Sequence, residues 1–445
     1  MFDATVSKEY SMNQLCLDGI ARNLTYDLIN CQATIASLNP EQTRRSASSR
    51  ILPRNHWDYA KDENLLVKLK ALLQCKNRDY IMRTEQRGDF WVMRNYVQAN
   101  HGPLECTDSI TFSTHADHSY LDNVVPLLER WMGPISLALY TPGTDFLPAF
   151  DSIRYLRDCG PYSNLVREFV TFHVYFEKTY VPDHDLRYLR SQLSKKSFNC
   201  SLAAPYTNVE RSTLFRSIHN LSYPINVGRN IAREATMTHF VLASDIELYP
   251  TPDLIRKFLE MIARNEGPLL SKNPRVFPLN IFEVEEFVKV PEDKPALIRM
   301  LKENLAIPFH KKICPYCHKI PKANAWLRTS SKDGAKQDLN IFTVAKRRDN
   351  FLWWEPIFIG TRNDPLYDES FTWEGRKDKM IQAYIMCLLD YDFFILDNAF
   401  LVHKPGIKIY TEDKNSLNLT TTVNKLYRTI VNSQLKMLYG IRKGC

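Results

Sequence analysis

At 445 residues, 44% hydrophobic and 24% charged, the chain is long enough to bury one large α/β core with appendages. Its 58 Lys and Arg against 50 Asp and Glu give a net charge of +8, spread along the chain apart from a cluster at 44–54; this suits small anionic ligands and is too diffuse to argue for nucleic acid. A run of about eighteen apolar residues, the length a membrane-spanning helix needs, does not occur.

Residues 1 to about 40 read as amphipathic helix, and 41–55, rich in Ser and Arg, as a linker. A further helix is predicted at 64–75, so 1–90 are expected to form an N-terminal helical stem. From 109 onwards, strands at 110–113, 135–140 and 170–176 alternate with helical runs at 121–131 and 152–159, the pattern of an α/β fold. There is no internal repeat or low-complexity tract.

Between Pro224 and the break at Thr238-His239 lies about three turns of predicted helix, in which Asn226 with Asn230 and Arg229 with Arg233 stand four residues apart. That helix runs into the apolar strand Phe240-Val241-Leu242-Ala243, followed by Asp245-Ile246-Glu247. In extended chain, residues two apart share one face, so both carboxylates can point at a hard divalent cation; two solvated acids at a strand end are the competing reading. A helix at 253–265, a strand at 276–284 and a buried helix at 379–389 follow. A last apolar strand delivers His403, with Lys404 and Lys408 around a Pro405-Gly406 turn. A neutral imidazole can complete a cation site, and lysines act as point charges for phosphate, although a His after a strand is more often structural.

The run 226–250, Trp354-Glu355-Pro356-Ile357-Phe358-Ile359-Gly360, Tyr367-Asp368-Glu369-Ser370-Phe371 and the segment 396–404 together resemble the family 49 glycosyltransferases, and the similarity extends from about Arg94 to about Lys408. The resemblance implies a single catalytic domain of GT-A type at 91–410, with 411–445 as a C-terminal helical extension. It further implies a manganese-dependent inverting transfer from a UDP-sugar, with glucuronate as the expected sugar, to a glycan or glycoprotein acceptor in the Golgi lumen. Many relatives carry Asp-x-Asp where this chain has Asp245-Ile246-Glu247, and the loop after Phe371, Thr372-Trp373-Glu374-Gly375-Arg376, departs from the family's pattern. The family's membrane anchor is absent from this sequence; the chain either starts downstream of one or is a soluble form.

On that resemblance Asp245, Glu247 and His403 are the expected metal ligands. Thr114, Arg229, Arg233, Lys404 and Lys408 are the expected donor-binding residues, Thr114 being equally readable as a hydroxyl closing a strand-to-helix turn. Asp368, Glu374 and Glu355 are the acids from which a general base is expected, and Trp373 and Trp354 the aromatic platforms for an acceptor sugar. A catalytically weak glycan-binding relative, or a transferase using a neutral donor such as UDP-xylose or UDP-N-acetylglucosamine, remains open. The ten cysteines are scattered; Cys314-Pro315-Tyr316-Cys317-His318 allows a disulfide, half a zinc site or a haem signature, and the secretory setting favours the disulfide. Sequons stand at Asn23, Asn199, Asn220 and Asn418.

Overall fold

The computed structural model describes residues 62–445 except 316, 330–337, 373–376 and 409–414. Residues 1–61 of the stem expected at 1–90, including the linker at 41–55, lie outside the described residues, as do Trp373 and Glu374.

The helix Glu63–Leu73 starts at Asp62, whose carboxylate accepts the Leu65 amide, and buries Leu65 and Leu69 one turn apart. The disulfide Cys75–Cys106 follows. Then comes a hairpin that the sequence reading missed: β1 (Arg83–Arg87) and β2 (Phe90–Val97), antiparallel about a turn at Gly88. Arg-Thr-Glu-Gln-Arg has no apolar alternation because β1 is an edge strand, and charge is what a sheet edge tolerates. The sheet therefore begins on the N-terminal side of the expected boundary at 90.

β3 (Ile110–Ala116), β4 (Ile135–Tyr140), β5 (Val170–Glu177) and β6 (Phe240–Ala243) form a parallel block in the order β5-β4-β3-β6. Their near-continuous apolar runs reflect burial on both faces. Between β3 and β4, 121–131 is a single-turn approach followed by the helix Val124–Trp131. The helix expected at 152–159 runs Phe146–Asp158; Pro148 sits in its first turn, where the missing N–H breaks no intrahelical bond.

The second half is mixed. β7 (Leu248–Pro250), β8 (Arg275–Val284), β9 (Ala306–Pro308), β10 (Asn340–Ala345), β11 (Ile357–Thr361), β12 (Asp392–Asp397) and β13 (Phe400–His403) extend the sheet, with β11 joining β6 to β8 antiparallel to both. β13 lies parallel to β8 and antiparallel to β7, which pairs His403 with Leu248. The helix Met380–Leu388 is buried throughout, matching the reading of 379–389. In the C-terminal helical segment Val423, Ile430, Val431 and Leu435 pack on Phe371, Ile381 and Leu388, and Cys387–Cys445 ties the end down.

From β3 the chain order runs to β4 and β5 on one side, while β6 lies on the other. Parallel sheets open a crevice at the carboxyl ends of such strands, where the order reverses.

Candidate active site

That crevice is a cleft of about 350 Å³ lined by His115, Ala116 and Asp117 from the end of β3, Asp245, Ile246 and Glu247 after β6, and Tyr120, Arg216 and Tyr223. The helix Ile225–Glu234 lies against β3 and β4, with Ile225 to Arg233 all buried. Gly228 permits the approach, since a Cβ there would fall 2.5 Å from Tyr175 Oη and 3.0 Å from His115 Cβ.

This helix delivers Arg229 to the carboxylates. Its Nη2 donates to Asp245 Oδ1 at 2.7 Å, its Nη1 donates to Asp378 Oδ2 at 2.5 Å, and its guanidinium lies over the Tyr367 ring. Lys379 Nζ stands 3.4 Å from Asp245 Oδ2 and 3.5 Å from Asp378 Oδ2, and His115 Nε2 is 3.6 Å from Asp245 Oδ1. Burial opposes ionisation of Asp245, but Lys379, Arg229 and His115 outweigh it and hold the carboxyl well below its usual range.

Glu247 sits opposite His403. The β7–β13 register brings them together, and the Lys404 amide donates to the Glu247 carbonyl at 2.7 Å. His403 Nδ1 is 2.8 Å from the Lys404 carbonyl, which can only accept, so Nδ1 carries the proton. His403 Nε2 is buried 3.5 Å from Glu247 Oε2, with Lys408 Nζ 3.8 Å from the same oxygen. An imidazole nitrogen beside a carboxylate is a pair that a divalent cation could bridge. The residues thus fit a divalent cation as a partial donor set. Among the described residues no three His, Cys, Asp or Glu side chains are already gathered around one point, because Asp245 is turned toward Arg229 and Lys379.

Several expected residues stand elsewhere. Arg233 donates to the carbonyls of Pro365, Thr361 and Asp364 at 2.6, 2.8 and 2.6 Å, so it fixes the loop after β11 and does not reach the cleft. Replacing it with alanine would strand three acceptors in a buried place; a loss of about 3 kcal/mol or more of stability is expected in a denaturant titration, with nucleotide affinity of the folded fraction intact. Thr114 is buried inside β3 and absent from the cleft lining; the alternation of the strand brings its neighbour His115 there instead. Trp354 is a core residue, packed against Phe393 with ring centres 5.4 Å apart, whereas Trp353 is the exposed one, under Lys377. Lys404 pairs with Asp122 at the rim.

Of the three acids, Asp368 accepts the Ser370 amide and hydroxyl at 2.9 and 2.5 Å, closing its own turn. Glu355 is different. Its amide donates to the Cys317 carbonyl at 2.8 Å and its carbonyl accepts from His318 Nδ1 at 3.0 Å, while burial, and after it the charge of Asp378, push its carboxyl up to about 7. The loop that grips it is closed by the disulfide Cys314–Cys317, as expected from the sequence. Mass spectrometry of the unreduced protein is expected to find these two cysteines joined; two alkylatable thiols would contradict the pairing. Cys159–Cys200 is the fourth disulfide of the described residues.

His115, Asp378 and Lys379 were missed by the sequence reading. The Asp-Lys pair that opens an otherwise apolar helix was the one available signal, since a lysine entering a buried segment needs a partner.

A family model described as a glycosyl-transferase for dystroglycan matches residues 109–440. The chain is 29% identical over 362 residues to beta-1,4-glucuronyltransferase 1 of Danio rerio, covering 79% of this chain and 80% of that one. It is 25% identical over 359 residues to beta-1,4-glucuronyltransferase 1 of Homo sapiens, with the same coverage. It is also 21% identical over 311 residues to the xylosyl- and glucuronyltransferase LARGE2s of Danio rerio, covering 70% of this chain and 33% of that one.

Proposed function

The chain belongs to the family 49 glycosyltransferases, and on that premise we propose that it is a cation-dependent, inverting enzyme of GT-A type that moves glucuronate from UDP-glucuronate to a hydroxyl of a glycan acceptor. The observation that carries this reading is the meeting of Asp245, Glu247, Arg216 and Tyr223 around one cleft at the sheet's reversal point. Carboxylates there suit a cation, an arginine suits phosphate, and the rings of Tyr120 and Tyr223 suit a flat base.

Glu247, His403 and Asp245 are the residues that would hold manganese or another divalent cation, and such an ion would neutralise charge gathering on the departing diphosphate. Glu355 is the proposed base. Its carboxylate takes the proton of the acceptor hydroxyl, that oxygen forms a bond to the anomeric carbon, and the bond from that carbon to the diphosphate breaks, with UDP leaving on the opposite face. Inversion follows from attack opposite the leaving group. Lys408, 3.8 Å from Glu247, would meet phosphate oxygens on this reading.

Four disulfides among the described residues fit an oxidising compartment, in keeping with a Golgi setting for this reading. No helix among the described residues is long and apolar enough to cross a membrane.

Thermal shift with UDP and manganese, then a panel of nucleotide sugars against xyloside, galactoside and glucosaminide acceptors, tests the proposal. Stabilisation by UDP only with the metal, and transfer from UDP-glucuronate, are expected. Transfer confined to neutral donors would remove the glucuronate assignment, and no response to UDP in any condition would remove the cation-dependent mechanism.

A further inference from the structure

Asp145 stands where a helix cap is expected, and it caps a different turn. It precedes the helix Phe146–Asp158, yet its carboxylate gives that helix no cap bond. Both of its oxygens instead accept the Phe215 amide, at 3.0 and 3.1 Å, from a segment 70 residues further along the chain. Phe215 opens the single turn Phe215–Ile218, so the carboxylate satisfies a donor that no carbonyl within the turn can reach. Asp145 is buried, which makes that bond costly to lose.

Packing reinforces the same contact. Gly143, two residues before Asp145, lies against the Phe215 ring, where a Cβ would fall 2.4 Å from it, and its φ of +49° is one that favours glycine. The Gly143 amide donates to the Tyr180 carbonyl at 2.9 Å, and the Tyr180 ring meets Phe215 edge-on with centres 5.2 Å apart. His219 stacks on Phe215 at 3.8 Å. Phe215 is therefore held by its backbone and by its ring.

What this holds in place is the next residue, Arg216. Arg216 lines the cleft together with Asp117 and Tyr223; its guanidinium lies over the Tyr223 ring at 5.6 Å and its Nε stands 3.3 Å from Asp117 Oδ2. The chain around it faces solvent: Arg211, Ser212 and Thr213 are exposed before the turn, and Ser217 to Asn220 within and after it. A short exposed turn has few contacts of its own to fix the direction of a long side chain, so the buried tether sets it. We propose that Asp145 is a positioning residue: by holding the Phe215 amide it places Arg216 to receive the diphosphate of the nucleotide, although Asp145 is absent from the cleft lining. This rests on the transferase reading above, in which Arg216 meets phosphate.

Calorimetry on the full chain with UDP and excess manganese reads the effect. Asp145→Ala is expected to weaken UDP binding roughly 10- to 100-fold, the scale on which displacing a positioned group by about 1 Å is felt. Asp145→Asn, whose amide oxygen can still accept the Phe215 N–H, is expected to stay within about threefold of the wild type. Gly143→Ala presses on the Phe215 ring with Asp145 intact and is expected to weaken UDP as Asp145→Ala does. A double-mutant cycle separates positioning from general loosening. If Asp145 acts through Arg216, the double variant Asp145→Ala with Arg216→Ala binds UDP no worse than Arg216→Ala alone, whereas independent effects multiply. The same cycle with Gly143→Ala serves where Asp145→Ala does not fold. Multiplying effects, a folded Asp145→Ala with wild-type affinity for UDP, or an Arg216→Ala variant that binds UDP fully would each overturn the inference and leave the transferase standing. Absence of UDP binding by the wild type would take down the transferase mechanism and this inference with it.

Discussion

Glu247→Ala is expected to slow sugar transfer by about a hundredfold or more, the scale on which removal of one group stabilising transition-state charge is felt. Glu247 is the cleaner of the two carboxylates to remove. Asp245 sits within reach of Arg229, Lys379 and His115, so its loss would leave two buried cations facing Asp378 alone and would confound catalysis with folding. Glu247 is partly exposed, and among the described residues its carboxylate pairs with His403 and Lys408, so the fold tolerates its truncation. The variant should keep its melting temperature without ligand and lose most of the stabilisation that UDP with manganese gives the wild type. His403→Ala should behave alike, since Nε2 of His403 and the Glu247 carboxylate face the same point. Steady-state transfer assays with and without excess chelator check the result; wild-type turnover in chelator would remove the cation from the mechanism.

Glu355→Gln is expected to cost about 10²- to 10⁴-fold in turnover, the usual worth of a positioned general base. A base must be ionised to act. With its carboxyl pushed up to about 7 by burial and Asp378, the active fraction should fall as pH drops through that value, so kcat/KM of the wild type should show an acidic limb near neutrality. For stability the sign runs the other way. A folded-state pKa above the unfolded one means that protonation favours the fold, a contribution present below the unfolded value and lost as pH rises through about 7. The neutral amide should therefore be no less stable than the wild type near pH 8 while being far less active, a pairing of opposite effects that a merely structural acid would not give. A flat pH profile between 6 and 8, or a Glu355→Gln variant with full turnover, would exclude this residue as the base.

Much of the frame was legible from the chain. Strands such as Ile135–Tyr140 and helices such as Met380–Leu388 are continuous apolar runs because they are buried on all sides, and burial of that kind writes itself into local composition. Edge strand β1 left no such mark, since its sequence answers to solvent and to Arg94 across the pair, and β9 and β10 were equally silent. Tryptophans 353 and 354 show the same limit at a single position. They are adjacent and chemically identical, yet one is exposed and the other lies in the core, and only the packing of Phe393 and Phe351 decides which.

The chemistry on offer is written in the chain: a strand followed by Asp245 and Glu247, a distant strand ending in His403, a helix carrying arginines ahead of the first, and motifs that mark the family. It is legible there because these residue types sit at element ends, where local periodicity breaks and polar groups stand out. The tertiary structure alone decided the partners. The register of β7 against β13 sets His403 facing Glu247, and Arg229 turns to Asp245 and Asp378 while Arg233, one helical turn on, turns to backbone carbonyls. The Glu355 carboxyl is pushed up to about 7 by burial and by the charge of Asp378, and Lys379 meets Asp245 and Asp378 only because the fold brings their segments together. Charge, hydrogen-bond capacity and proton affinity of a side chain depend on what lies within a few ångströms of it, and those neighbours come from segments more than a hundred residues apart in the chain.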